Sequence, residues 1–255
     1  MRLPVLWWGW LAASAVAAPA VEAIFPSGDA LPANHLKFYL HFSEPMRQGV
    51  FLLHCRLLDE RGKEVPEPFR ETELWSDDAR RLTLWLHPGR QKTGVNLNVE
   101  LGPVLDPHRR YTLVISGKWP SDAGAPLGAE VRKTFRTLER ATQQLDTAAW
   151  QISPPRVGTT KPLSLRFLAP LDHALLLRCL RVENVEGRIA TEDHERVWTF
   201  TPAHPWTSGS HRVLVESKLE DLAGNSLARP FEVDLDAAPP PARPPVLAIP
   251  FQPVN

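Results

Sequence analysis

The chain has 255 residues, and its 29 Lys and Arg balance 29 Asp and Glu, so its formal charge at pH 7 is zero. A balanced chain sets up no strong field toward nucleic acid or an anionic membrane surface, which removes polyanion binding as a default function. Hydrophobic residues at 43% suffice for packed cores, 26 prolines against 14 glycines favour short extended segments over long helices, and the length suits two domains of ordinary size.

In chain order, residues 1–20 come first. Arg2 supplies a basic start, "LPVLWWGWLAASAV" is apolar, and "AAPA" ends in small residues, which together read as a signal peptide. Ala18 and Ala20 place cleavage before Val21, with the bond after Ala23 as a second choice. The apolar run is short and cut by Pro4 and Pro19, which disfavours a membrane anchor. Export permits disulfides, but the two cysteines, Cys55 and Cys179, fall one in each half, so two free thiols are expected.

The remaining chain contains itself twice. "LKFYLHFSEPM" (36–46) lies over "PLSLRFLAPL" (162–171), matching Phe42 with Phe167, Pro45 with Pro170 and, further on, Gly62 with Gly187. "YTLVISGKWPSDAGAPL" (111–127) lies over "HRVLVESKLEDLAGNSL" (211–227), matching Leu113 with Val213, Gly124 with Gly224 and then Phe135 with Phe231. The spacing shortens between the two blocks, so the first copy carries extra chain, mostly around 89–103. Within each copy the hydrophobic period is two: Leu36, Phe38, Leu40 and Phe42 alternate with Lys37, Tyr39 and His41. These are half-buried strands. Further strands are expected at "HCRLLDE", "RRLTLWLHP", "RYTLVIS" and "KTFRTL", then at "CLRVENV", "RVWTFTP", "HRVLVES" and "FEVDL". Only "DHALLLRCL" (172–180) offers a helical turn. The expected fold is all-β, two tandem immunoglobulin-like antiparallel β-sandwiches: residues 21–140 with a long loop near 89–106, residues 141–236, and a proline-rich tail at 237–255. Whether "VLAIPF" in that tail docks on a strand edge of its own chain or of a partner is left open by the sequence.

The order "FSEPM", "DERGKEV", "YTLVI", "DAGAPL", with "DLAGNSL" in the second copy, resembles the bacterial SbsA-type immunoglobulin-like domain, named from S-layer proteins. The likeness covers roughly 22–138 and 146–236. The second copy departs in having "FLAPL" for the first motif, and the first copy lacks the asparagine after Gly124. The resemblance implies a fold and, for function, an extracytoplasmic binding or spacer role; a fold does not supply a reaction.

Several side chains are candidates for chemistry. His41 and Glu44 in "HFSEPM" become Arg166 and Ala169 in the second copy, whereas Phe42 and Pro45 repeat, so the fold needs the apolar pair and not the polar one. Three outward histidines, His41, His54 and His87, are the candidate ligands for copper or zinc if neighbouring strands bring them together; solvated surface histidines are the favoured alternative. In "DLAGN" an Asp221-capped turn with Gly224 at positive φ is preferred to a calcium loop, which needs more oxygens. Tyr111 has the setting of a tyrosine corner. Tyr39 and Trp85 fall on the outer face by alternation and are candidate binding aromatics, unless the long loop or the second domain covers them. Arg90 and Lys92 on the long loop complete the candidate binding set. No nucleophile elbow, zinc-protease motif or phosphate loop occurs in the sequence, so an enzyme is not expected and no cofactor is assigned.

The sequence therefore leads to an exported, periplasmic or extracellular, non-catalytic binding or structural module of the bacterial cell envelope, with an envelope protein or glycan as partner. The alternatives are a periplasmic copper carrier and an accessory module for envelope polysaccharide.

Overall fold

The computed structural model describes residues 18–92, 96–232 and 244–255. The first half folds as β1 (Val21–Phe25), β2 (Ala30–Pro32), β3 (Lys37–Phe42), the single turn α1 (Phe51–His54), β4 (Cys55–Leu58), β5 (Leu74–Trp75), β6 (Arg81–Trp85), α2 (Pro88–Gln91), α3 (Asn96–Leu101), β7 (Arg110–Ile115) and β8 (Val131–Leu138). One sheet runs β1-β3-β6-β5 and the facing one β2-β8-β7-β4. Their inner faces supply one core, with Phe38, Leu40, Leu57, Leu82, Leu113, Trp119 and Phe135 all essentially buried. This is the alternation of period two turned into a sandwich.

The second half follows the same plan with β9 (Gln151–Ser153), β10 (Leu163–Arg166), α4 (His173–Cys179), β11 (Leu180–Val182), β12 (Gly187–Glu192), β13 (Val197–Pro202), β14 (His211–Glu216) and β15 (Val246–Phe251). Its sheets are β12-β13-β10-β9 and β11-β14-β15, closed over a core that includes Leu163, Leu165, Leu180, Trp198, Phe200 and Val213. The fold is all-β, two tandem immunoglobulin-like sandwiches. The helical turn expected at 172–180 is α4, capped by the Asp172 carboxylate, which accepts from Leu175 N at 2.9 Å. The tyrosine corner is present as well: Asp106 N donates to the Tyr111 hydroxyl at 2.9 Å. Cys55 and Cys179 are free thiols, each buried in its own core.

The expectation of a single helical turn does not hold, because α1, α2 and α3 form as well, the last two within the stretch expected to be a long loop. Two further expectations change. A strand was expected at "FEVDL" in the place that β8 holds in the first sandwich. Phe231 and Glu232 form a bend, and residues 233–235 lie outside the described residues. The place beside β14 is taken by β15, from the segment expected to be a tail, with His211 opposite Phe251 just as Tyr111 stands opposite Phe135. Beyond β15, Arg156 and Val254 make a parallel bridge that mirrors the parallel pairing of β2 with β8. The structural counterpart of Phe135 is therefore Phe251, not Phe231. Leu247, Ile249 and Phe251 turn inward onto the second core, which decides the pairing; Pro250 is tolerated because β15 is a margin of its sheet. The expected signal segment falls largely outside the described residues, of which Ala18 is the first; among them no helix is long and apolar enough to cross a membrane.

The second change concerns β3. Alternation predicts a half-buried strand, yet every residue from Lys37 to Leu40 is buried, on both faces. The reason is the second sandwich, which lies against the outer face of the first.

Candidate functional site

That contact is where the charged and aromatic side chains of the chain converge. Antiparallel pairing of β3 with β6 sets Lys37 opposite Trp85, Tyr39 opposite Thr83 and His41 opposite Arg81, so one sheet face carries a row of polar and aromatic groups. The second sandwich meets this row with the start of α4. The Asp172 carboxylate, 2% exposed, accepts from the Tyr39 hydroxyl at 2.8 Å at both oxygens and pairs with Lys37 Nζ at 2.9 Å. Glu220 supplies a second carboxylate to Lys37 Nζ at 3.1 Å. The ammonium also stands 5.0 Å from the centre of the Trp85 ring, and the Arg81 guanidinium 6.0 Å from that of Tyr39.

These groups are held in definite protonation states. Burial works to lower the pKa of Lys37, but the charges of Asp172 and Glu220 together outweigh it and hold the ammonium above its ordinary value. Burial, reinforced by the neighbouring Asp172 carboxylate, pushes the Tyr39 phenol well above its usual range. Lys37 is therefore a fixed cation and Tyr39 a fixed hydrogen-bond donor.

A second contact lies at β1. The rings of Phe25 and His173 stack at 3.5 Å, and His41 stands edge-on to both, at 5.3 Å from Phe25 and 6.2 Å from His173. Burial lowers the His173 pKa to about 4, with the nearby His41 acting in the same direction, so the imidazole is neutral at pH 7. Beside it the buried Glu195 carboxylate accepts from Ser27 N at 2.8 Å, tying β13's leading turn to the loop after β1.

The third contact is the "DLAGN" loop. Asp221 Oδ1 accepts from Ala223 N at 2.8 Å and Asn225 N at 2.9 Å, and Gly224 has φ +82, so the turn is the Asp-capped one the sequence indicates. Its purpose is packing. Leu222 inserts into the first core and its carbonyl accepts from Leu36 N at 3.0 Å, while a Cβ on Gly224 would come within 2.6 Å of Leu36 Cδ1. Asn34 and Asn225 both bind the backbone of Ala141 in the connecting segment, at 2.8–3.0 Å. A cavity of about 380 Å³ lies alongside, bounded by Arg140 to Asp146, Trp150, Phe167, Leu168, Leu171 and Asp221.

The candidate residues from the sequence are thus dispersed. Tyr39 is 6% exposed and faces Asp172 rather than solvent, and Trp85 is half-buried beneath Lys37, because the second sandwich covers that face. Arg90 does not project from the long loop. It is 2% exposed and its guanidinium donates to the carbonyls of Pro66, Glu67, Leu101, Gly102 and Pro103, a charged staple that folds the loop onto the body. Lys92 lies with Nζ 4.5 Å from the centre of the Phe231 ring, again toward the second sandwich. The histidines do not converge: His41 sits at the interface, His54 stacks on Trp119 at 5.5 Å, and His87 is the N-cap of α2, near the opposite end of β6 from Arg81. Among the described residues no group of three or more His, Cys, Asp or Glu side chains is placed to hold a metal ion. Sequence reasoning missed Asp172, His173, Glu195, Glu220 and Asn34, and it met Asn225 only as an oxygen of the less favoured calcium loop. Of these only Asp172 carried a signal, as an acidic residue directly before a helical run.

No protein-family model and no curated protein matches the chain. Among solved structures it is similar to the MG0-NIE-MG1 domains of native alpha-2-macroglobulin from Escherichia coli, at 11% identity over 92% of this chain and 71% of that one, with a TM-score of 0.32. It is also similar to domains 1-6 of surface layer protein SbsC, at 11% identity over 94% of this chain, with a TM-score of 0.35; it spans 41% of that protein's chain. A third likeness is SGBP-B of Bacteroides ovatus, solved with a mixed-linkage heptasaccharide, at 14% identity over 83% of this chain and 45% of that one, with a TM-score of 0.21. All three are remote.

Proposed function

We propose that the chain is an exported, non-catalytic module of the bacterial cell envelope, two SbsA-type immunoglobulin-like sandwiches locked together as one rigid unit that binds or spaces other envelope components. The contact between the sandwiches carries this reading. Lys37, Tyr39, Asp172 and Glu220 exchange bonds across it in a setting where the lysine and aspartate are nearly free of water. Swinging the sandwiches apart would separate these charges and withdraw Leu222 from the first core. A buried ion pair is weak evidence for stability but fixes one geometry, since leaving either partner unpaired is costly. A fixed angle between domains suits a spacer or scaffold, whereas a hinge suits closure on a substrate.

The pattern of residues 1–20 supports export, and the order of turn motifs supports the family. The partner is an envelope protein or a glycan, and neither cofactor nor nucleic acid enters. Tyr39 and Trp85 act inward in this arrangement as parts of the lock, Arg90 shapes the long loop, and Lys92 fastens it toward Phe231. The copper-carrier alternative has little support from three imidazoles that stand apart, and the polysaccharide alternative little from a Trp85 ring that Lys37 covers.

The test is cross-linking of tagged full-length protein inside cells that export it, followed by fractionation and mass spectrometry. The expected result is envelope-fraction protein that begins at or near Val21 and captures a reproducible envelope component. Protein retained in the cytosol with Met1 intact would overturn the proposal.

A further inference from the structure

β15 is bonded to β14 along one edge, and among the described residues no strand pairs with its other edge, the chain bridging to Arg156 only beyond it, at Val254. Most other margins are protected in ways that discourage pairing with a second chain. β12 is also six residues long but carries Arg188 and Glu192, while β5, β9 and β11 have two or three residues. β4 turns back on itself through the bridge between Leu58 and Glu64. β15, with the sequence VLAIPF, has six residues and no charge. Its inward residues Leu247, Ile249 and Phe251 are committed to the second core, which holds the strand firmly, while Val246, Ala248 and Pro250 are exposed on the other face.

We infer that this margin is an interaction surface, and that its partner is β15 of a second copy of the chain, added antiparallel about a twofold axis at Ala248. Self-pairing in that register sets Ala248 against Ala248 and Val246 against Pro250. Every facing pair on the exposed side is then small or apolar, and no like charges meet. The whole chain has no net charge, so two copies approach without long-range repulsion. A twofold uses the same patch on both partners, which a short neutral strand centred on alanine can satisfy. Pro250 lacks an amide hydrogen, so it removes one donor at each end and confines the new ladder to the stretch around Val246 to Ile249. The result is one sheet continuous through both copies. This inference is independent of the envelope reading and of what the module binds there.

The experiment is sedimentation equilibrium of the processed protein over a range of concentrations, for the wild type and for Ala248→Lys, with Ala248→Cys and Leu168→Cys tested for interchain disulfides under mild oxidation. Leu168 is 74% exposed on the turn after β10, a strand of the other sheet, so its cysteine reports random collision. The expected outcome is a wild-type mass that rises toward twice the monomer. Ala248→Lys should stay at the monomer mass with an unchanged thermal midpoint, and Ala248→Cys should cross-link at least tenfold faster than Leu168→Cys. A wild type that is monomeric throughout, an Ala248→Lys variant that associates as the wild type does, or equal cross-linking of the two cysteines would each overturn the inference.

Discussion

At the residue scale the decisive side chain is Asp172. It serves two elements at once, capping α4 through Leu175 N and neutralising Lys37 across the contact. Asp172→Ala should therefore cost about 3–5 kcal/mol, the usual range for breaking a buried pair by removing one partner, read from urea unfolding; a loss below about 1 kcal/mol, the worth of an exposed pair, would mean that Lys37 is hydrated. His173 gives the contact a pH dependence. Its folded pKa of about 4 lies below the ordinary 6.5, so the unfolded chain takes up the proton first. Stability is therefore full above about 6.5 and falls as the pH drops toward 4. The buried His35, lowered to about 3 chiefly by desolvation, acts in the same direction. Asp221, raised by burial to about 6, acts oppositely and gains stability as the pH falls from 6 toward 3.8. Two histidines against one aspartate give a net loss on acidification, and His173→Phe should flatten the slope of melting temperature against pH between 6.5 and 4. An unchanged slope would show that the His173 ring is solvated. Part of this was legible in the sequence: alternation put Lys37, Tyr39 and His41 on the face away from the first core and allowed that the second domain covers it, but only the packing of Asp172 decides whether such a face meets water.

At the element scale, period two located β3, β4, β6, β7, β8, β10, β11, β13 and β14, because each buries alternate side chains in its own sandwich. It failed at β15. "FEVDL" and "VLAIPF" both offer a phenylalanine and alternate apolar residues, and local pattern does not say which returns to β14; that choice rests on pairing with His211 and on the bridge of Val254 to Arg156. The character of the long loop was not legible: an arginine on a loop reads as a reaching cation, and here it is enclosed by five carbonyls. The pairing of β15 makes a direct prediction. Phe251, 5% exposed in the second core, stacks with His211 and meets Trp206 edge-on, so Phe251→Ala should cost about 3–5 kcal/mol. Urea unfolding checks this, and a cost below about 1 kcal/mol, the level of a surface substitution, would mean that β15 is only loosely seated.

At the scale of the whole molecule the two sandwiches share material. Leu222 belongs by sequence to the second and by packing to the first, and the asparagines Asn34 and Asn225 grip the same connecting residue from either side. Calorimetry should show one unfolding transition, with the calorimetric and van't Hoff enthalpies equal. In Asp172→Ala combined with Leu222→Ala the transition should divide in two. Two transitions in the wild type would mean that each sandwich melts by itself.

The position of β15 along the chain also sets an order of events during synthesis. The first sandwich has all its strands once residue 138 is available, but the second leaves β14 without its partner until residues 246–251 arrive. A chain made N-terminus first thus keeps its second sandwich unclosed until those residues emerge. β15 is thus the latch of the second sandwich: until it docks, that core lacks Leu247, Ile249 and Phe251.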